Sequence, residues 1–527
     1  MDGLDGGAGD LSVGDLRVAV RTSRGRQRHW LFATLLILGA ALRVVVLVAY
    51  HPALIFPDSV RYLQYAHNFT AGQWSADALR QSGYSVLIIP VMLLHDLWII
   101  PLAQHLVGLA TAVLVYAVLV RFGIRTWLAA VASIPVLFDP LQLVLEQYVL
   151  ADVWTVFLVV AALVILVWRR AKQPEDQEEK RGWLPAAACG LLLGLAVTFR
   201  DEMLIMIVPA ALYVLVAVRP RRRLLTRLAA LTGCFLIPVI GYLGWFDASH
   251  GEWNFTTFSG AFLYGRVADF ASCQGLPLPA YEKPLCPTQP AALRNADFYA
   301  WNPQSPQWTF HPPAGMSRDT VVRDFSLRIL HHQPLAYAAA AARDFLYGFS
   351  PVRGAGPEKY SPAYLQFQTY VRPDRQAYAS IAALGYPAPA VRPALAAFLT
   401  DYGRWFYVPG PVFAAGLVLG LGGLVTAKVR RKPDKAIWGA GLLFTASAVL
   451  VLILLAASAT FDWRYQLPQL SLIPVAAVLG LTAIGRRPAL ADGDKRPRPL
   501  AVRLGPVGRA GAAGAHRGRL PPGAALH

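Results

Sequence analysis

Asp58, Arg200-Asp201-Glu202 and Arg464-Tyr465 are the residues of this 527-residue chain whose types could do chemistry together. Each lies beside a strongly apolar run. A carboxylate can take a proton from a hydroxyl nucleophile, and a guanidinium offers a forked set of donors to a phosphate oxygen. Asp58 follows Pro57 and precedes residues 60–69, where Tyr62, Tyr65, Ala66 and Phe69 recur at three- and four-residue spacing. That spacing predicts an amphipathic helix at a membrane interface, with Asp58 held at its start by the backbone. Capping that helix is the plainer role for the same residue. Arg200-Asp201-Glu202 makes a tight turn between two apolar runs, and Arg464-Tyr465 precedes the last one. Snorkelling and interfacial anchoring explain these two equally well when each is taken alone. Glu146 and Asp152 straddle the start of another run; Asp152, being deeper, must face protein or water. Arg61, Tyr62, Glu146, Asp201 and Glu202 complete the set as additional candidates.

The elements that must position these residues are membrane helices. The chain is 55% hydrophobic and only 15% charged, too apolar for most of its length to fold as soluble domains. Runs of roughly 18 or more apolar residues read as bilayer-spanning helices. Ten are predicted, at 30–50, 97–120, 127–145, 149–168, 183–198, 203–218, 228–245, 409–425, 437–457 and 467–484. Asp139-Pro140 interrupts the third. Residues 85–94 are too short to span and read as an interfacial or re-entrant piece. The first run is too long for a cleavable signal, and no small-residue cleavage site follows it.

The net charge of +18 sits in short basic clusters between the runs, which excludes nucleic acid as the partner and implies membrane lipids. Clusters at Arg21–Arg28, Arg121 and Arg125, 169–181, 219–227, 428–435 and Arg486-Arg487 all fall on one side if the count is ten. Both termini are then cytoplasmic, in a multi-pass plasma-membrane protein. Asp58, Glu146, Arg200-Asp201-Glu202 and Arg464-Tyr465 then share the opposite, extracytoplasmic face. The expected fold is an all-α polytopic membrane protein of about ten transmembrane helices, with a mixed, partly helical extracytoplasmic domain. Its predicted parts are a disordered basic N-terminus at 1–29, seven helices at 30–246 with a first outer loop at 51–96, and an outer domain at 247–407. Three last helices at 408–485 and a disordered basic tail at 486–527 follow. Cys273 and Cys286, close together in the outer loop, are expected to form a disulfide. Cys189 and Cys234 read as small buried hydrophobes. No Cys/His spacing suits a metal.

A carboxylate base, guanidinium groups and a membrane face match a substrate with an anionic head and an apolar tail. The cytoplasmic loops are too short for a nucleotide-binding domain, and none carries a Gly-rich phosphate loop.

At this point the chain resembles the C-type superfamily of polyprenyl-phosphate-dependent glycosyltransferases (GT-C), which includes protein mannosyltransferases and lipid A aminoarabinose transferases. Phe56-Pro57-Asp58-Ser59 with Tyr62, Ala66 and Gly72 is similar to their first outer loop. Ser82-Gly83-Tyr84-Ser85 looks like their His-Pro-Pro-Gly-Tyr-Pro segment without its histidine and prolines. The span from Gly190 and Gly194 to Thr198-Phe199-Arg200 resembles a Gly-rich span ending in Arg, and Arg464-Tyr465-Gln466-Leu467-Pro468 resembles an Arg-Tyr-x-x-Pro motif. The stretch from Leu263 through Cys273 to Cys286 resembles the outer domain of actinobacterial members. The resemblance implies inverting transfer of a sugar from a polyprenyl-phosphate donor to a hydroxyl of a glycan, lipid or protein acceptor. Asp58 would be the general base, and Arg200, Arg464 and Tyr465 would bind the donor phosphate. Many relatives carry two adjacent acids where this chain has Asp58-Ser59, so a divalent metal is left open, with no ligand named. The rival reading is a multi-span transporter of a lipid-linked or anionic substrate, though no pair of matching halves supports it.

Overall fold

The computed structural model describes residues 29–168, 182–217, 221–356, 362–371, 375–429, 434–458 and 460–485. The two termini expected to be disordered, and most of the basic clusters at 169–181, 218–220 and 430–433, lie outside these residues. Among the described residues the fold is helical, and its one two-stranded sheet pairs Tyr50–His51 antiparallel with Ala390–Val391.

A helix stands at each of the ten expected runs, but they are unequal in length. Six are long and apolar enough to cross a bilayer: Trp30–Ala49, Ile99–Arg121, Arg223–His250, Gly410–Val429, Lys435–Ser458 and Trp463–Gly485. A seventh span is the pair Thr126–Phe138 and Pro140–Gln147, bent by 47°. Asp152–Trp168 and Leu184–Phe199 are apolar but shorter, and Ile207–Ala217 has only 11 residues. The shortening has a local cause. These helices stop where Asp152, Arg200 and Glu202 gather, and the chain takes 3-10 turns over Asp201–Met206 before the next helix begins.

The bend at Asp139-Pro140 is built, not frayed. Asp139 is extended and accepts the Leu141 amide at 2.9 Å, so it caps the helix that Pro140 opens. Its carboxylate also receives both Arg353 Nη atoms, at 2.7 and 2.8 Å, and the Val408 amide at 2.9 Å. The acid that breaks the span therefore ties it to the loop leading to the last three helices.

The Gly-rich span earns its glycines by close approach. A Cβ on Gly190 would lie 2.0 Å from the Leu231 carbonyl oxygen, and one on Gly194 would lie 2.3 Å from that of Phe235. Small residues one turn apart let Leu184–Phe199 lie directly against Arg221–His250.

The stretch expected as one outer domain divides in two. Tyr264, Val267, Leu285, Tyr299, Val321, Phe325 and Ile329 form a separate core, around the helices Ser259–Ala268 and Arg318–His332. The Cys273–Cys286 disulfide lies beside it. Leu365, Phe367, Ile381, Ala396 and Leu399 instead join the core of the helical bundle. Pairing of Val391 with Tyr50, at the end of the first helix, holds that second half in place.

Glu146 anchors a buried polar knot inside the bundle. Its carboxylate accepts from Arg43 at 2.8 Å and Gln142 at 2.8 Å, and lies 2.6 Å from His105 Nδ1. Arg43 also donates to the carbonyls of Val136 and Leu137 at 3.0 and 2.9 Å, satisfying the backbone ahead of the bend. Gly108 makes the room: a Cβ there would sit 1.7 Å from Glu146 Oε1. Gly108→Ala should therefore displace the carboxylate and strand Arg43, at a cost of about 3–5 kcal/mol. A thermal melt in detergent that matched wild type would refute this packing.

Candidate functional site

The site begins at the helix Pro57–Thr70. Phe56 is extended, and its amide donates to Ser59 Oγ at 2.9 Å, while that hydroxyl donates to the Val149 carbonyl at 2.9 Å. Ser59, not Asp58, thus closes the helix start and ties it to the bundle. Asp58 is left free to turn its carboxylate inward, where only 7% of the residue is exposed.

Two arginines meet that carboxylate. Arg80 donates to Oδ1 through Nε at 3.1 Å and Nη2 at 2.8 Å, and Arg464 Nη1 donates to Oδ2 at 2.9 Å. Arg464 turns its remaining fork to Asp152, with Nε to Oδ1 at 2.8 Å and Nη2 to Oδ2 at 2.9 Å. Asp152 also receives Arg200 Nη1 at 3.3 Å, and Arg200 Nε donates to Glu202 at 2.7 Å. The result is one chain of ion pairs: Arg80, Asp58, Arg464, Asp152, Arg200, Glu202. Three guanidinium groups face three carboxylates. Arg464 is placed by Asp462, which accepts its amide at 3.0 Å, and by the Phe56 ring, 4.9 Å from its guanidinium.

Of the residues proposed from sequence, Asp58, Arg200, Glu202 and Arg464 come together here. Tyr465 joins them as a wall of the crevice that Asp152, Arg200, Glu202 and Arg464 line. Tyr62 packs edge-on against Tyr84 at 4.9 Å behind Asp58. Arg61 instead pairs with Asp77, and Glu146 belongs to the separate knot with Arg43. Arg80 went unnoticed because a lone arginine in a polar loop carries no periodic signal. Asp152 was legible only as an acid too deep for lipid.

The crevice adjoins an apolar groove. Val156, Met203 and Pro468 line both, and the other walls of the groove are Val159, Val160, Val451, Ser471 and Leu472. The charged crevice therefore meets a nearly all-apolar groove.

Burial works against ionisation of Asp58, but Arg80 and Arg464 outweigh it and hold the carboxyl well below its ordinary range. Asp201 behaves oppositely: burial and the adjacent Glu202 push it up to about 7. The folded protein thus keeps this proton to higher pH than the unfolded chain does. Its contribution to stability is intact below the ordinary carboxylate range and is lost as pH rises toward about 7. Asp201→Asn should flatten that part of the pH–stability curve in thermal melts; an unchanged slope would place the titration elsewhere.

Among the described residues no group of three or more His, Cys, Asp or Glu side chains is placed to hold a metal ion. The carboxylates of the site are matched to guanidinium groups, so these residues do not fit a metal.

Fold and site together define a polytopic, all-α membrane protein with a charged crevice opening onto an apolar groove. Over residues 95–252 the chain matches the family model of dolichyl-phosphate-mannose-protein mannosyltransferases. That segment holds Asp152, Arg200 and Glu202, but neither Asp58 nor Arg464. No curated protein matches the chain. Among solved structures it is similar to the S. cerevisiae protein O-mannosyltransferase complex bound to its sugar donor. Identity there is 16% and the TM-score 0.33, over 48% of this chain and 37% of that one. It is also similar to the Archaeoglobus fulgidus oligosaccharyltransferase in complex with an inhibitory peptide and a dolichol-phosphate. Here identity is 12% and the TM-score 0.39, over 88% of this chain and 53% of that one. The chain spans about half the length of these solved chains or less. At such scores the structural likenesses carry no argument about chemistry; the family match is what supports a membrane glycosyltransferase of the C-type.

Proposed function

We propose that the protein transfers a sugar from a polyprenyl-phosphate donor to an acceptor hydroxyl, with inversion, on the extracytoplasmic face. The observation that carries this reading is the crevice of Arg200 and Arg464 running into an apolar groove, which suits a phosphate head and a polyprenyl tail. Electrostatics supports the rest. The network is balanced without substrate, three guanidinium groups against three carboxylates. An entering donor phosphate adds negative charge and competes with Asp152 and Asp58 for the arginine forks. Relieved of those partners, Asp58 becomes a stronger base. The acceptor oxygen then attacks the anomeric carbon as the carbon–oxygen bond to phosphate breaks. Its proton goes to Asp58, and the electron pair of the broken bond stays on the polyprenyl phosphate. Protonation of Asp58 removes a negative charge from the network as one develops on the leaving phosphate, which the arginines stabilise. A single displacement of this kind inverts the anomeric centre.

The test uses purified protein in lipid nanodiscs with a panel of radiolabelled polyprenyl-phosphate sugars. Release of polyprenyl phosphate together with transfer of label is the expected result. Movement of intact donor across vesicle membranes, with none consumed, would establish the transporter instead.

A further inference from the structure

A second cleft lies near the first and shares no lining residue with it. Its walls include Tyr50, Tyr148, Tyr364, Gln366, Gln368 and Tyr370, and among the described residues no charged side chain lines it. Phe56 links residues of the two clefts. Arg464 lies over its ring at 4.9 Å, while Tyr148 and Tyr364 meet it edge-on at 5.6 and 5.5 Å. One aromatic ring, directly before Pro57-Asp58, therefore separates this cleft from the ion-pair network.

The lining has a period. Tyr364, Gln366, Gln368 and Tyr370 are alternate residues of one stretch, while Leu365 and Phe367 between them are buried at 5% and 2% exposure. The chain here is a short 3-10 turn over Pro362–Leu365 followed by bends; Leu365 and Phe367 pin it to the core, and the tyrosines and glutamines stand on its open side. The opposite wall is equally fixed. Leu54 exchanges backbone hydrogen bonds with Gln147 and Val149 at 3.0 and 3.2 Å. Tyr50, 1% exposed, donates its hydroxyl to the Gln368 carbonyl at 2.9 Å and stacks on Phe367 at 5.7 Å. The cleft is thus formed before anything binds.

We infer that the strip Tyr364-x-Gln366-x-Gln368-x-Tyr370 lines a subsite for the carbohydrate of a glycan acceptor, an inference that rests on the transfer proposed above. A sugar ring has apolar C–H faces and a rim of hydroxyls that both donate and accept. Tyrosine rings offer flat apolar faces with a polar tip, and each glutamine amide offers donors and acceptors side by side. Its described walls are uncharged and suit a neutral ligand, in contrast to the arginine crevice.

The experiment measures binding with no donor present. Saturation-transfer NMR is recorded on the full chain in nanodiscs with neutral mannose, galactose and arabinose disaccharides. At least one should receive saturation at its ring C–H protons. Gln366→Ala and Tyr370→Ala alter exposed rim positions and should each weaken that disaccharide roughly tenfold, about one good polar or aromatic contact. Failure of every disaccharide to bind, undiminished binding to the rim variants, or displacement by a serine-containing peptide would each overturn the assignment. Because the donor is absent, a failed donor assay alongside intact disaccharide binding would sink only the transfer reading.

Discussion

Asp58→Asn is expected to abolish most sugar transfer while donor binding survives, a loss of roughly 100- to 10,000-fold in turnover. The amide oxygen can still accept from one of Arg80 and Arg464, the amide nitrogen facing the other as a donor, and Arg464 keeps Asp152 in either case. It cannot take the acceptor's proton at neutral pH. Some stability should go with the charge, about 1.5–3 kcal/mol for a hydrogen bond to an ionised group, because Asp58 is nearly enclosed by its two arginines. The helix start itself should hold, since Ser59 and Val149 fix it. Turnover must therefore be measured per folded molecule, with donor affinity taken from the same preparation. If Asp58→Asn transfers sugar at the wild-type rate, the base lies elsewhere and the proposed mechanism fails. A purely structural Asp58 would lower the melting temperature without changing the rate of the folded fraction.

Arg464→Ala is expected to damage both binding and stability. Arg464 joins Asp58 to Asp152, and it is 6% exposed. Its removal leaves two buried carboxylates short of a partner, which typically costs about 3–5 kcal/mol. Loss of charge-assisted bonds to the donor phosphate should weaken donor affinity by roughly 10- to 150-fold, equivalent to about 1.5–3 kcal/mol. Arg464→Lys should restore part of the stability and little of the affinity. An ammonium can face one carboxylate, but it cannot send a planar fork to Asp152 and a third donor to Asp58. Equal donor affinity in wild type, Arg464→Lys and Arg464→Ala would remove the phosphate role and leave Arg464 as a structural cross-link.

Several features were legible in the sequence because they depend on short-range patterns. Apolar runs of spanning length marked each helix of the bundle. Three- and four-residue spacing marked the first-loop helix, and acids or arginines at run ends marked positions where helices stop. The pair Cys273 and Cys286 needed only proximity in sequence, and the disulfide is present. The tight turn at Arg200 and the approach to the last span at Arg464 were visible for the same reason, as charges that lipid would not tolerate.

Tertiary structure alone decided which charge meets which. Arg464 lies 406 residues from Asp58 and 312 from Asp152 along the chain, and no local pattern encodes a pairing at such a distance. Glu146 and Asp152 stand six residues apart and look alike in sequence. The bend after Asp139 and the turn at Tyr148 send one to Arg43 inside the bundle and the other to the arginine crevice. Helix capping at Pro57 could have fallen to Asp58 or to Ser59; the Val149 carbonyl settled it by accepting the Ser59 hydroxyl. Composition and periodicity determined that the chain is a membrane bundle with charges at its helix ends, because burying apolar surface is a local, additive demand. Which ionised groups share a crevice is set by packing between distant helices, where each buried charge must find an opposite one.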